Sequence, residues 1–307
     1  MALQFGLIRN NRSFVRYVWG TLAYTAAVAL WGAYVRASSS GDGCGNHWPF
    51  CNGDIIPQAP TLKTIIEFTH RASTGLDSIL VLLLAVWAFR AYPRTHPVRF
   101  GAILSGTFLV TEALIGAALV KLEHVAGNTS PYRAYSLSIH LLNTLTLLAC
   151  LALTAWWASG KARVAMRGRA TWTLVAVMLL GVSGAIAALG DTLFPARSLA
   201  EGFAQDFASG ANIFVRLRWL HPAIAMGVAC LVFWYAMTNG VRRARWVLVL
   251  MAAQVCAGLL NLVLMAPVAM QMIHLLLAYA FWVALVLLAA EDGRGDTMSA
   301  CFDSSRS

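Results

Sequence analysis

The chain has 307 residues, of which 59% are hydrophobic and 12% charged, with a mean hydropathy of +0.66. A water-exposed globule carries about a quarter charged residues, so a soluble domain of this size is excluded, and so is a disordered chain. The net charge of +10 has no basic segment set apart from the apolar blocks, so it is a membrane-topology signal rather than a nucleic-acid surface.

The apolar blocks run about 20 residues without polar alternation, which argues against a transmembrane β-barrel and predicts an all-α polytopic protein of the lipid bilayer. Eight spans are predicted, at 17–36, 64–90, 99–121, 135–158, 171–190, 214–238, 246–265 and 269–290. Arg9, Arg12 and Arg16 precede the first span, which has no convincing cleavage site and reads as an uncleaved signal anchor. A long loop at 37–63 carries Cys44 and Cys51. The second span carries Glu67, His70 and Arg71, the third Glu112, and the fourth His140. Residues 159–170 are the one candidate linker. The sixth span carries Arg218 and His221, the seventh Gln254 and the eighth His274. From Glu291 the tail is polar and expected to be loose.

Basic residues set the orientation. Arg9/Arg12/Arg16, Arg90/Arg94/Arg99, Lys161/Arg163/Arg167/Arg169, Arg242/Arg243/Arg245 and Arg294 fall at one end of the spans. Asp42, Asp54, Glu123, Asp191, Glu201 and Asp206 lie at the other. The positive-inside rule then places both termini in the cytoplasm and turns 37–63, 122–134 and 191–213 outward. These outer loops are the longer ones, which points to function on that side.

The two halves resemble each other. Glu112-Ala-Leu-Ile-Gly116 matches Gln254-Val-Cys-Ala-Gly258; Ile139-His140-Leu141-Leu142 matches Ile273-His274-Leu275-Leu276; His70 corresponds to His221. Four spans per half is an even number, so both halves cross in the same direction. The expected architecture is two pseudo-twofold-related four-helix bundles, 1–160 and 161–307, about an axis along the membrane normal.

Three of the seven histidines fall in loops: His47, His96 and His124. His70, His140, His221 and His274 lie in even-numbered spans at one depth, two per bundle. Four unrelated core histidines would be the plain alternative. Two pairs at one depth fit axial ligation of heme iron better. Zinc would ask for three or four ligands in one cluster. Arg71, Arg218, Arg36 and Arg216 sit at the level where propionates would want cations, though snorkelling is the commoner role of such arginines.

The halves differ three residues before the histidine, where Glu67 precedes His70 and Arg218 precedes His221. Each pair is expected on one helix face. Glu67 reads either as a helix-start acid or as a carboxylate that stabilises charge or moves a proton near a substrate. The contrast assigns reactivity to the N-terminal bundle and a fixed redox cofactor to the C-terminal one. Cys44 and Cys51 suit a disulfide on an oxidising side, as a loop staple or as a redox pair facing an outside thiol protein. Cys150, Cys230 and Cys256 are expected to pack as small hydrophobes.

Gly43-Cys44-Gly45, Trp48-Pro49, Cys51-Asn52-Gly53 and Pro57, followed by Ile66-Glu67-Phe68-Thr69-His70-Arg71, resemble the heme A synthase family over essentially the whole chain. These are membrane enzymes that convert heme O to heme A for terminal oxidases. The resemblance implies an eight-helix pseudo-twofold fold, with heme b ligated by His221 and His274. It implies a substrate-heme site of His70 and His140 with Glu67 beside it, and electron or thiol exchange at Cys44 and Cys51. Heme O synthase and a thiol-disulfide protein are the implied partners, and the cell (inner) membrane the location. The chain departs from members that carry a second cysteine pair in the third outer loop, which here reads Asp191-Thr192-Leu193-Phe194-Pro195-Ala196-Arg197. Two other classes stay open: a bis-His di-heme b-type electron carrier that modifies neither heme, and a transporter suggested by the parallel repeat alone.

Overall fold

The structure, a computed structural model, describes residues 12–161 and 168–292. Arg9, Arg163, Arg167 and Arg294 of the orientation argument, the middle of the linker, most of the tail and Cys301 lie outside the described residues. The described residues are helical and loop, with one isolated bridge, Cys51 to Asp54. The helices are α1 (Arg12–Ala37), α2 (Leu62–Ala91), α3 (Pro97–Lys121), α4 (Pro131–Ala158), α5 (Arg169–Leu193), α6 (Leu199–Asp206), α7 (Ile213–Arg218), α8 (Leu220–Thr238), α9 (Val241–Val263) and α10 (Val268–Asp292). Eight segments are long and apolar enough to cross a membrane, with α7 and α8 together forming the sixth. The chain is thus a multi-pass helical membrane protein, as its composition indicates.

Local chemistry explains the boundaries. The Thr61 hydroxyl accepts from the Thr64 N–H at the start of α2, and Ser130 accepts from Tyr132 N–H ahead of Pro131 in the first turn of α4. Side-chain capping followed by an early proline is a start signal, and it begins α4 four residues before the expected 135. The sixth span departs from expectation. It divides after Arg218 because Pro222 has no N–H to donate to the Arg218 carbonyl. Trp219, the one residue between the two helices, keeps αR backbone angles between Arg218 and His221. The outer loop 194–212 contains the unexpected α6, whose start is capped by Ser198 accepting from Glu201 N–H. Ser198 followed three residues later by Glu201 is a legible capping pattern.

Packing closes two rings. α1, α2, α3 and α4 each touch the next, and α4 returns to α1. α5, α8, α9 and α10 do the same, with α10 returning to α5. The rings meet through α1, α4, α5 and α10. The main apolar core fills the end of each ring away from the cysteine loop. Phe14, Val18 and Leu22 of α1 meet Val81, Leu84 and Ala88 of α2 and Leu148, Leu151 and Ala155 of α4 there, with Tyr235, Leu285 and Ala289 in the second ring. Trp282 of α10 donates its indole N–H to the Leu145 carbonyl of α4 at 2.7 Å and joins the two rings. Cys150 is buried as expected, but Cys230 and Cys256 are exposed on the bundle surface, so they do not pack inside.

Gly101 of α3 lies so close to Thr154 and Trp157 of α4 that a Cβ there would clash with the Thr154 hydroxyl. Gly101→Val should destabilise the N-terminal ring by about 1–3 kcal/mol, the usual cost of overpacking, read as a lowered unfolding temperature in detergent. Gly20→Val, where a Cβ meets open space, should leave that temperature nearly unchanged.

Candidate functional site

The four membrane histidines stand at the cysteine-loop end. His70 is eight residues into α2, His140 nine into α4, His221 eight from the start of α7 and His274 six into α10. At 1.5 Å per residue they lie roughly 9–14 Å below the helix ends. All four are half-buried.

Each ring faces a glycine on the preceding span. A Cβ on Gly32 of α1 would stand 2.9 Å from His70 Cε1, and one on Gly184 of α5 would stand 2.9 Å from His221 Cε1. On Gly258 of α9 it would stand 3.0 Å from His274 Cε1, and on Gly116 of α3 it would stand 3.7 Å from His140 Nε2. At the first three positions any side chain would push the imidazole aside. Gly116 and Gly258 occupy matching places in the internal repeat, and that spacing was the available signal. Gly32 and Gly184 had none.

The two C-terminal rings, His221 and His274, have centroids 6.4 Å apart with planes at 83°. Two imidazoles on opposite sides of one iron are expected about 6.2 Å apart, from metal–nitrogen bonds of about 2.0 Å and about 1.1 Å from nitrogen to ring centre. His221 Nδ1 is within 3.0 Å of the Ser183 hydroxyl. His274 Nε2 is 3.2 Å from the Gln254 amide, and its Nδ1 is buried without a hydrogen bond. Each ring thus has one nitrogen held by a neighbour and the other free. The pair fits an axially ligated heme. Among the described residues no three or more His, Cys, Asp or Glu gather as a metal cluster, so the donors come in twos.

In the N-terminal ring, His70 lies within electrostatic reach of His140, Glu112 and Arg71. Its Nδ1 is buried without a hydrogen bond. His140 Nδ1 is 3.1 Å from a Glu112 carboxylate oxygen. Glu67 is buried between the cysteine loop and its own helix: one oxygen accepts from the Cys44 N–H at 2.8 Å, and the other pairs with Arg71 of α2 at 2.6 Å. Gly43 lies directly on the Lys63–Thr64 backbone with no space for a Cβ, and Thr64 donates to its carbonyl at 2.9 Å. Cys44 and Cys51 form a disulfide. Arg71 also donates to the Phe50 carbonyl at 2.5 Å. One carboxylate–guanidinium pair thus fastens the disulfide loop one helical turn above His70.

The other outer arginines act similarly. Arg218 pairs with Asp206 at 2.7 Å and Asp191 at 3.1 Å and donates to the Gly202 carbonyl. Arg133 donates to the Ala126 and Asn128 carbonyls, and Arg216 to Ser209. Arg36 of α1 donates to the Ala188 carbonyl and the Thr192 hydroxyl of α5 and to the Gln271 amide oxygen of α10, crossing between the rings. These loop-clamping partners are not readable from the sequence, because they join segments far apart in the chain.

These features define a multi-pass helical membrane protein whose histidines are seated against glycines near one end of the spans. The sequence model of the cytochrome oxidase assembly protein family (COX15-CtaA) matches residues 15–286, and the chain belongs to that family, which includes the heme A synthases. The chain is 49% identical over 287 residues to a protoheme IX farnesyltransferase of Thermus thermophilus, covering 89% of this chain and 47% of that protein. It is 45% identical over 105 residues to a heme A synthase of Geobacillus kaustophilus, 33% of each chain. To a heme A synthase of Halalkalibacterium halodurans it is 37% identical over 139 residues, 44% of this chain and 45% of that one. The chain spans about half the length of the Thermus relative. The family resemblance carried by the cysteine loop and Glu67–Arg71 is borne out.

Gly184→Val should displace His221 and remove most of the heme absorbance of the purified protein. Gly227→Val, on α8 with His221 and where a Cβ meets open space, should keep it. Equal absorbance in both variants would mean that His221 is not a ligand.

Proposed function

We propose that the protein is a heme A synthase, an oxidoreductase that converts the porphyrin methyl group of heme O to the formyl group of heme A by successive hydroxylation and loss of water. The observation that carries this reading is the 6.4 Å pairing of His221 and His274. It is accompanied by a second glycine-seated pair whose helix α2 also fastens the disulfide loop. In this reading His221 and His274 hold heme b, and His70 and His140 form the heme O site. Heme b, when bound by the first pair, would supply one-electron transfer.

The chain's own residues do the rest. Glu67 holds a carboxylate one turn above His70, where low dielectric strengthens its effect on positive charge developing at the substrate edge. Arg71 keeps that carboxylate and the cysteine loop together. Arg71 and Arg218 would be the cations nearest to hand for heme propionates, with some of their donors already used by the protein. Cys44 and Cys51 are buried in their loop, so exchange with a thiol-disulfide protein on the oxidising side would require that loop to lift. The N-terminal bundle, 1–160, is the reactive unit, and the C-terminal bundle, 161–307, the electron-carrying one. The protein sits in the inner membrane with both termini cytoplasmic, supported by Arg12, Arg16, Arg90, Arg94, Arg99, Arg242, Arg243 and Arg245 at the end opposite the cysteine loop. A farnesyltransferase name on a relative about twice the matched length supports heme O synthase as a neighbour that supplies the substrate.

The second reading is a di-heme b carrier, favoured by the like seating of histidines in both rings. Co-expression with a heme O source and extraction of the pigments separates the two. Heme A accumulates if the chain is the synthase; two unaltered hemes b without heme A would establish the carrier. In the same assay, Glu67→Gln should lower heme A formation about 10- to 100-fold while the C-terminal heme spectrum persists. Undiminished product would remove Glu67 from the mechanism.

A further inference from the structure

Glu112 belongs to none of the functions above, yet it is an acid in the middle of a membrane helix and costly to place there. Its surroundings are fully organised. Thr144 donates to one carboxylate oxygen and Asn143 Nδ2 to the other, at 2.5 Å for the latter. Asn143 is itself fixed: Nδ2 also donates to the Phe108 carbonyl at 2.8 Å, and Oδ1 accepts from the Thr111 hydroxyl at 2.6 Å. The first carboxylate oxygen also stands 3.1 Å from His140 Nδ1. That nitrogen has no aligned hydrogen bond in the structure, and Glu112 is the acceptor placed to receive one.

The second ring supplies an internal comparison. Gln254 holds the position equivalent to Glu112, four residues before Gly258 as Glu112 is four before Gly116. It contacts His274 at 3.2 Å. The equivalent positions thus present a carboxylate to His140, at Nδ1, and a neutral amide to His274, at Nε2. A carboxylate bonded to the far nitrogen of a metal-bound imidazole fixes its tautomer and makes it a stronger donor. A stronger axial donor favours the ferric state and lowers the reduction potential.

We propose that Glu112 is the positioning residue of the N-terminal heme site. It orients His140 with Nδ1 toward the carboxylate and Nε2 toward iron, and it holds that site at a lower reduction potential than its Gln254-bearing counterpart. This rests on the two-site reading above. An electron on the C-terminal heme then meets a partner of different potential, a difference set by one atom pair between Glu and Gln.

The test is a redox titration of the full-length purified chain loaded with hemin, followed by visible absorbance and low-temperature EPR. In the wild type, two bis-histidine signals with separate midpoints are expected. Glu112→Gln should shift the N-terminal midpoint positive by at least a tenfold change in the ferric-to-ferrous ratio at fixed poise, about 59 mV for one electron. The C-terminal midpoint should stay in place. Gln254→Glu should do the converse, moving the C-terminal midpoint negative. This reciprocal variant decides the matter even if Glu112→Gln fails to fold. Two normal wild-type signals with midpoints indifferent to the exchange would overturn the role of Glu112 alone. Failure of the wild type to bind a second heme would overturn the two-site reading and this proposal with it.

Discussion

Close approach between imidazole and glycine is the constraint on which the site depends. Each membrane histidine is large, polar and half-buried, and it faces the preceding helix where that helix has no side chain. The consequence reaches beyond local fit. A ring held against a neighbouring backbone loses rotamer freedom before any ligand arrives, so less ordering remains to be done on binding. The 6.4 Å spacing of His221 and His274 is then a property of the helix packing. Ser183 and Gln254 complete that placement from the side.

A second layer of order comes from charge. Lipid offers a buried guanidinium no partner, so Arg36, Arg71, Arg133 and Arg218 find theirs in protein. Arg71, Arg133, Arg216 and Arg218 take loop carbonyls or acids, and Arg36 spans from α1 to α5 and α10. The loops over the histidines are therefore fastened from beneath by long cationic side chains. Glu67 belongs to this fastening as much as to any chemistry, since one of its oxygens receives the Cys44 N–H.

Much of this was legible from residue order. Length and hydropathy are one-dimensional properties, so the eight spans, the paired histidines and the cysteine loop could be read directly. Glu112 against Gln254 stood out because the repeat supplies its own reference. What escaped reading depends on contacts between distant segments. Pro222 interrupts the sixth span through a missing donor, a local rule that the hydropathy pattern conceals. The partners of Arg71 and Arg218 lie in loops whose path depends on the disulfide, Gly43 and α6. Cys230 and Cys256 face outward because a membrane helix can be apolar on every side, which removes the amphipathic pattern that would mark an inner face.

The apolar core occupies one end of each helical ring and the histidines the other. Structural robustness and chemical novelty are therefore segregated along the membrane normal. Phe14, Leu84, Leu151, Tyr235 and Leu285 form a foundation that holds eight helices in register regardless of what the opposite tier contains. Two rings with such foundations can differ at a single position near the histidines, as Glu112 and Gln254 do, without endangering the scaffold beneath them.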